Sequence, residues 1–464
     1  MFRLANRGSL LYLLILMPGI NALRAQIIQY PSPIDTAIKN AADTTMKGKA
    51  IPSTLTFALD MRTRSEMRHG YKSLPTTDTG AAFNISQRTR FNIDFKSKKI
   101  DVLLSLQDAR VWGQQDPRAG QSGTGTASSS TTYSVYLFEA YAEPRFTDNF
   151  SVRIGRQRVM YDNQRLFAEN DWRLAGNSHD AIRLIYNNKT NFTTELLAAY
   201  NQSGENVFTT KYSPGVPNYK SLIVHYLNWK VTDKFILTTI NSADGYQSAE
   251  PGKYATTYER FTSGGRLEYS TENWYATAAA YYQYGKDSSG KKLGAFYVQP
   301  EVKYSNGPVT IRLGMEYLSG ADSSTHPSKD KNFVPLYGVA HRFMGNLDYF
   351  ASFPGDVNGA GLINPYLFVW YNKNKIGIRI ESHLFYSQSR FVYKGNPVNK
   401  YLGFENDLRF NYKPNKFTDV ETGFCWAAVT NSMTVIKKGG DTNAFPYFAY
   451  ISLKLTPTLG KITF

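Results

Sequence analysis

Hydrophobic and polar positions alternate with a period of two along most of this chain. From Pro308 onward, Val309, Ile311, Leu313, Met315 and Tyr317 share one face, and Thr310, Arg312, Gly314 and Glu316 share the other. After Lys375, Ile376, Ile378, Ile380, Leu384 and Tyr386 alternate with Gly377, Arg379, Glu381 and His383. After Tyr401, Leu402, Phe404, Leu408 and Phe410 alternate with Gly403, Glu405, Asp407 and Arg409. An extended chain throws successive side chains to opposite faces, so each stretch predicts a strand with one apolar and one charged face. Helical periodicity is nearly absent from the body of the chain.

The connections carry a second pattern. Short polar turns are expected near 97–99, 146–149, 188–190, 231–233, 271–272, 306–307, 373–374 and 413–416. Between them lie stretches rich in Gly, Ser, Asp and Pro, near 68–83, 113–132, 162–178, 202–218, 244–256, 286–294, 320–363, 389–399 and 431–444. Long and short alternate strictly, which gives nine long loops, eight short turns and eighteen strands. Phe333–Met344 could form a strand but is read as part of the long loop, to keep the alternation. A closed antiparallel barrel has its short turns at one end and its long loops at the other, and closure leaves no open sheet edge. In lipid it satisfies every backbone group. The fold class expected is therefore all-β: a transmembrane antiparallel barrel over residues 54–464, with short periplasmic turns and long extracellular loops. A secreted sandwich or propeller would need no such alternation, and no ~40-residue blade repeat is present.

Composition agrees with a folded, aromatic-rich chain. Of 464 residues, 42% are hydrophobic and 19% charged, with 33 Tyr, 28 Phe and 6 Trp. That is too apolar for disorder. No apolar run reaches the ~18 residues of a spanning helix. A single cysteine, Cys425, excludes a disulfide framework within one chain and a Cys-based zinc site. The chain ends at Phe464, as barrel-assembly signals usually do, although Pro457 interrupts the last pattern.

The first 25 residues have the layout of a secretory signal peptide. Arg3 and Arg7 precede the apolar run Leu10–Met17, and Asn21–Gln26 offers small-residue cleavage sites, with cleavage expected after Ala25. Residues 26–53 then form a short periplasmic segment, too short for the plug of a large active transporter. Cleavage removes Arg3, Arg7 and Arg24 and no acid, so 53 basic residues become 50 against 37 acids, a net +13. In an exported protein that balance points to anionic solutes, polyanions or lipid headgroups rather than to nucleic acid.

If the apolar face looks outward, strand parity sends Arg62, Arg64, Arg88, Arg90, Arg153, Arg183, Arg266, Arg312, Arg379 and Arg409 into the lumen. It sends Asp60, Glu66, Asp94, Glu195, Glu268, Glu316, Glu381, Glu405 and Asp407 there too. Two readings are open. These charges pair along the wall and hold the barrel open, or unpaired arginines form a positive constriction that draws anions. The densest basic stretch, Ser151–Arg183, contains Arg153, Arg156, Arg158, Arg165, Arg173 and Arg183. Its loop either folds into the lumen or lies solvated at the surface.

At this stretch the sequence resembles the alginate export family of outer-membrane porins. The matching residues are G-R-Q-x-x-x-Y-x-x-x-R-L at Gly155–Leu166, which includes Gln157, then W-R at Trp172–Arg173 and D-A-I-R-L at Asp180–Leu184. Arg88–Asn92, Gln107–Gly113, Phe138–Tyr141 and His341–Asp348 match further motifs, so the likeness runs from about residue 55 to the C-terminus. The resemblance implies an eighteen-stranded barrel in the bacterial outer membrane with an electropositive pore, passing alginate or related anions. It carries over Arg88, Arg90, Arg110, Arg156, Arg165, Arg173, Asp180, Arg183, His341 and Asp348 as motif positions. Expected partners are anionic oligo- or polysaccharides or small anions, outer-membrane lipid and lipopolysaccharide, and periplasmic export proteins.

The sequence contains no G-x-S-x-G elbow and no H-E-x-x-H helix, and its six histidines are scattered. No catalytic residue, metal ligand or cofactor is assigned. The leading expectation is an outer-membrane channel for anionic solutes, alginate-like polyuronate among them. The alternatives are a general or phosphate-type diffusion porin, and a barrel enzyme or adhesin.

Overall fold

The computed structural model describes residues 52–113, 135–212, 218–248, 250, 252–254, 256–325 and 328–464. The signal-peptide expectation and most of the 26–53 segment lie outside the described residues. Among them, eighteen antiparallel staves close into one barrel. The first nine are β1 (Thr54–His69), β2 (Ala82–Lys96), β3 (Ile100–Val111), β4 (Val135–Pro144), β5 (Phe150–Gln157), β6 (His179–Asn187), β7 (Phe192–Tyr200), β8 (Ser221–Lys230) and β9 (Phe235–Gln247). Then come β10 (Thr257–Ser270), β11 (Trp274–Lys286), β12 (Lys292–Asn306), β13 (Val309–Leu318), β14 (Leu362–Lys373) and β15 (Ile376–Ser387). A two-rung hairpin, β16 (Val392–Tyr393) and β17 (Asn396–Pro397), stands apart in a loop. The ring resumes with β18 (Tyr401–Asn415) and β19 (Thr418–Val429). Its last stave is β20 (Tyr447–Leu455) continued by β21 (Thr458–Thr463). Both pieces pair with β1, and β1 pairs with β2 on its other side, which closes the ring.

The last stave breaks where Pro457 has no N–H to give the ladder. Its carbonyl still accepts the Leu59 N–H at 3.0 Å, and the register shifts beside it, between Phe57 and Ala58. The tail after Pro457 therefore extends the wall.

The expected alternation of short turns and long loops is present, and the Phe333–Met344 stretch lies in the loop between β13 and β14. One connection expected to be long, β11 to β12, is only residues 287–291. The period-two pattern also sorts the faces as expected. Ile182, Leu184, Ile223, Leu313, Leu367, Val369, Ile380 and Ile451 point out and are exposed, while Arg183, Val224, Tyr366 and Phe368 beside them point in and are buried. Aromatic pairs cluster at both ends of the outer face: Phe235–Tyr269 and Trp274–Tyr304 near the turns, Phe261–Tyr284 and Phe296–Tyr317 near the loops. On β11, Trp274 and Tyr284 stand ten residues apart. At ~3.3 Å per residue and a tilt of ~40° this spans roughly 25 Å, the height of an apolar membrane band flanked by aromatic girdles.

Three neighbouring staves depart in part from the polar-in rule. Leu197 and Ala199 of β7, Leu222 and Val224 of β8 and Ile240 of β9 make an apolar patch on the inner face and are all buried, beside the inward Thr238, Ser242 and Asp244 of β9. A water-filled lumen would leave these side chains wet, so something covers them.

The candidate pore and its infolded loops

The cover comes from two loops. Loop 158–178, between β5 and β6, and loop 319–361, between β13 and β14, fold inward and share one hydrophobic core. Val159, Tyr161, Leu166 and Phe167 of the first loop and Val339, Phe343, Met344 and Leu347 of the second are all buried in it, together with Leu197, Val224 and Ile240 of the wall. The two loops meet in a parallel bridge between Phe167 and Tyr337: Tyr337 N–H donates to Leu166 O at 2.9 Å and Ala168 N–H to Tyr337 O at 3.2 Å, and beyond it Val339 N–H donates to Gln164 O at 3.1 Å. Gly338 permits the approach, since a Cβ there would lie 1.8 Å from Arg165 O. Of the two readings of the Ser151–Arg183 stretch, the geometry supports the infolded one.

The wall arginines are not the free ring that the sharper expectation required. Arg153 pairs with Glu143 at 2.5 Å, Arg183 with Glu195 at 3.4 Å, Arg266 with Glu268 at 2.6 Å and Arg312 with Glu301 at 2.5 Å. Arg379 faces Glu421 at 3.8 Å, Arg409 pairs with Glu381, and Arg64 pairs with Glu66. Each pair joins nearby staves or positions two apart on one stave. A positive wall is thereby corrected to a belt of arginine–carboxylate pairs.

Arg62, Arg88 and Arg90 do something more specific: they hold the infolded loop. Arg62 Nη1 donates to Asp171 O at 2.5 Å, and Arg62 Nη2 reaches the carbonyls of Trp172 and Arg173 at 3.2 and 3.1 Å. The Asp171 carboxylate lies 2.7 Å from Arg88, 3.5 Å from Arg90 and 3.4 Å from Lys454. Burial pushes the Asp171 carboxyl up, but Arg88, Lys454, Arg62 and Arg90 together hold it well below the usual carboxylate range. Arg165, inside the first loop, is buried against Glu316 at 2.7 Å and donates to Val339 O at 3.1 Å. It is a clamp between loop and wall.

Two of the expected pore residues face the other way. Arg156 forms a fork with Asp180 (2.8 and 2.7 Å), and Asp180 shares its face with the exposed Ile182 and Leu184. Arg110 forks Asp108 (2.7 and 2.8 Å) on the face of β3 that carries the exposed Val102. Both pairs lie on the outer surface, so Arg110 and Arg156 do not line the pore. Parity explains it: Arg156 is an odd number of positions from the inward Arg153, and Arg110 from the inward Gln107. Gln157 does face in, and its amide donates to Gly155 O and Ala181 O at 3.1 and 2.9 Å. Gly155 is held at φ +121°, where a Cβ would lie 2.3 Å from Ala140 O.

Trp172, His341 and Asp348 meet at the junction of three loops. The Trp172 ring stacks on His341 at 3.9 Å, and the Arg64 guanidinium lies over Trp172, also at 3.9 Å. His341 Nδ1 bonds Asp348 Oδ1 at 2.8 Å, and Tyr71 OH from loop 70–81 donates to Asp348 Oδ2 at 2.5 Å. Burial lowers the His341 pKa below its ordinary 6.5, and Asp348 only partly offsets it. Asp348 is lowered too: burial opposes this, but His341 and Tyr71 outweigh it. The junction thus disfavours a proton on either group. Its stability is full above pH 6.5 and falls as pH drops below it, by up to about 1.4 kcal/mol per unit, until the folded histidine titrates. Single-channel records should therefore show more frequent loop openings at pH 5 than at pH 7.5. In His341→Gln the same comparison should be flat; an unchanged pH response in that variant would remove His341 from the explanation.

Neither parity nor motif pointed to Arg342. It sits in the second infolded loop, beside His341, and its side chain is exposed to solvent. Among the described residues no carboxylate pairs with it; its ring neighbour is Phe343 at 5.6 Å. Yet the wall encloses it. Crowding by protein lowers its pKa to about 10, with Arg312 and Arg409 pushing the same way and Glu169 and Glu381 too weak to compensate. A guanidinium that is wet, enclosed and unpaired stands in confined lumen water. Arg173, on the first loop, is likewise exposed.

Comparison with known proteins agrees with this architecture. The model of the alginate export family matches residues 53–351. No curated protein matches the chain. Among solved structures, Acinetobacter baumannii OccAB1 aligns with TM-score 0.59 and 11% identity over 88% of this chain and 97% of that one. The Pseudomonas aeruginosa outer membrane protein opdK aligns with TM-score 0.56 and 10% identity over 89% and 100%. Pseudomonas aeruginosa OccK2 (OpdF), solved in complex with glucuronate, aligns with TM-score 0.56 and 11% identity over 88% and 97%. At such identities the likeness to these structures is one of fold. The family match carries the rest: this chain belongs to the alginate export family and is a β-barrel channel of the bacterial outer membrane.

Proposed function

We propose that the barrel passes anionic solutes, uronate-bearing saccharides of the alginate kind among them, and that Arg342 carries the preference. The supporting observation is its charge: exposed, without a carboxylate pair among the described residues, and carried on a loop that folds into the lumen. In such a place a single charge acts on every passing ion, because low-dielectric walls focus its field. Arg62, Arg88, Arg90 and Lys454 against Asp60 and Asp171 add a second region with more cations than anions. The glucuronate bound to OccK2 is a uronate monomer, and that protein shares this fold.

The neutralised wall favours a second reading, a general diffusion porin. A planar bilayer under a salt gradient separates the two. A reversal potential on the anion side, with current reduced by alginate oligomers more than by phosphate, supports the first. A reversal potential near zero, or equal competition by phosphate, leaves the general porin.

A further inference from the structure

The inner face of β14 carries an aromatic ladder. Tyr366, Phe368 and Trp370 occupy alternate positions, with centroid spacings of 4.8 and 6.3 Å and ring planes 27° apart at each step. The Arg312 guanidinium lies over all three rings, at 5.3, 5.0 and 5.6 Å. Tyr366 and Phe368 are buried, but Trp370, the rung nearest the turns, is partly open. It cannot belong to the lipid girdle, because its face is the inward one: Leu367, Val369 and Tyr371, which alternate with the rungs, are the outward, exposed residues. Packing alone does not require a tryptophan with an open side at that height.

Its orientation is fixed in advance. The indole N–H donates to Glu381 Oε1 at 2.9 Å, and Glu381 is itself held by Arg409. Arg312, Arg409 and Glu381 are among the charges that act on Arg342, so its unpaired guanidinium lies within electrostatic range of this part of the wall. A flat ring fixed by a hydrogen bond, with guanidinium groups beside it, matches a pyranuronate. The apolar C–H face of the sugar covers the indole, and its carboxylate meets a guanidinium fork.

We infer that Trp370 is a stacking platform for a pyranuronate ring on the turn side of the constriction, with Arg342 as the carboxylate partner. The inference rests on the proposed anion reading and narrows it to a saccharide. The indole is oriented in advance and partly open to the lumen.

The test is block of single-channel current by β-1,4-linked hexamannuronate added to both compartments. In Trp370→Ala the residence time of each block should fall roughly tenfold, while the salt reversal potential and block by inorganic phosphate keep their wild-type values. Trp370→Phe keeps a flat ring without the N–H and should retain most of the residence time. Trp370→Leu serves if the alanine variant fails to insert, since it keeps bulk and removes the flat face. Residence unchanged in the alanine or leucine variant, a matching loss of phosphate block, or a wild type that hexamannuronate does not block would each overturn the platform. A wild type without anion preference overturns the functional reading itself. An anion-selective wild type with an inert Trp370 overturns the platform alone.

Discussion

Arg342→Glu should turn an anion-preferring channel into a cation-preferring one. The substitution changes the charge in the confined water by two units. At ~7 Å in water-like dielectric each unit acts on a monovalent ion with about 0.6 kcal/mol, so anions lose and cations gain about 1.2 kcal/mol each. The permeability ratio then moves up to about 50-fold at low salt, and less as the screening length shortens. Arg342→Gln, a one-unit change, should move it about sevenfold. Arg110→Gln, on the outer face, should leave it unchanged. Reversal potentials at two salt concentrations read all three, and an unshifted Arg342→Glu would end the case for this residue.

Arg165→Met should loosen the constriction without unmaking the barrel. The wild-type pair with Glu316 is buried on both sides. Removing one partner leaves a buried carboxylate uncompensated, which costs about 3–5 kcal/mol. That cost falls on the seating of loop 158–178 against β13 and the second loop, not on the stave-to-stave hydrogen bonds. The variant should fold and insert, then show current that flickers to larger conductance levels, and faster proteolysis within 158–178. Adding Glu316→Leu to Arg165→Met replaces the pair by apolar bulk and should quiet the record again. A steady wild-type trace from the single variant would mean that Arg165 does not hold the loop.

The wall was legible in the sequence and its contents were not, for reasons that differ. A stave with lipid on one side and polar lumen on the other must alternate, and an even closed ring must alternate turns and loops. Stretches such as Val309–Tyr317 show the first demand within a few residues, and the spacing of connections along the chain shows the second. The inner faces of Leu197, Val224 and Ile240 break the pattern because they are covered by loop residues more than twenty positions away in sequence. Nothing local announces that cover. Parity placed Arg62, Arg153 and Arg312 inside, but pairing depends on which residue the next stave brings opposite. Parity also sets Arg156 opposite Arg153, and the family motif, which is blind to faces, hid this. Arg342 was out of reach because a loop has no parity.

The contacts that seat the constriction also set the order of assembly. Arg165 meets Glu316 across 151 positions of chain and Val339 across 174. Closing so long a stretch has a high entropic cost, and the partners must already be in place to offset it. The first loop can therefore dock only after β13 and the loop beyond it have arrived, when most of the ring exists. Until it docks, the lumen lacks the narrowing that loop 158–178 gives the finished barrel.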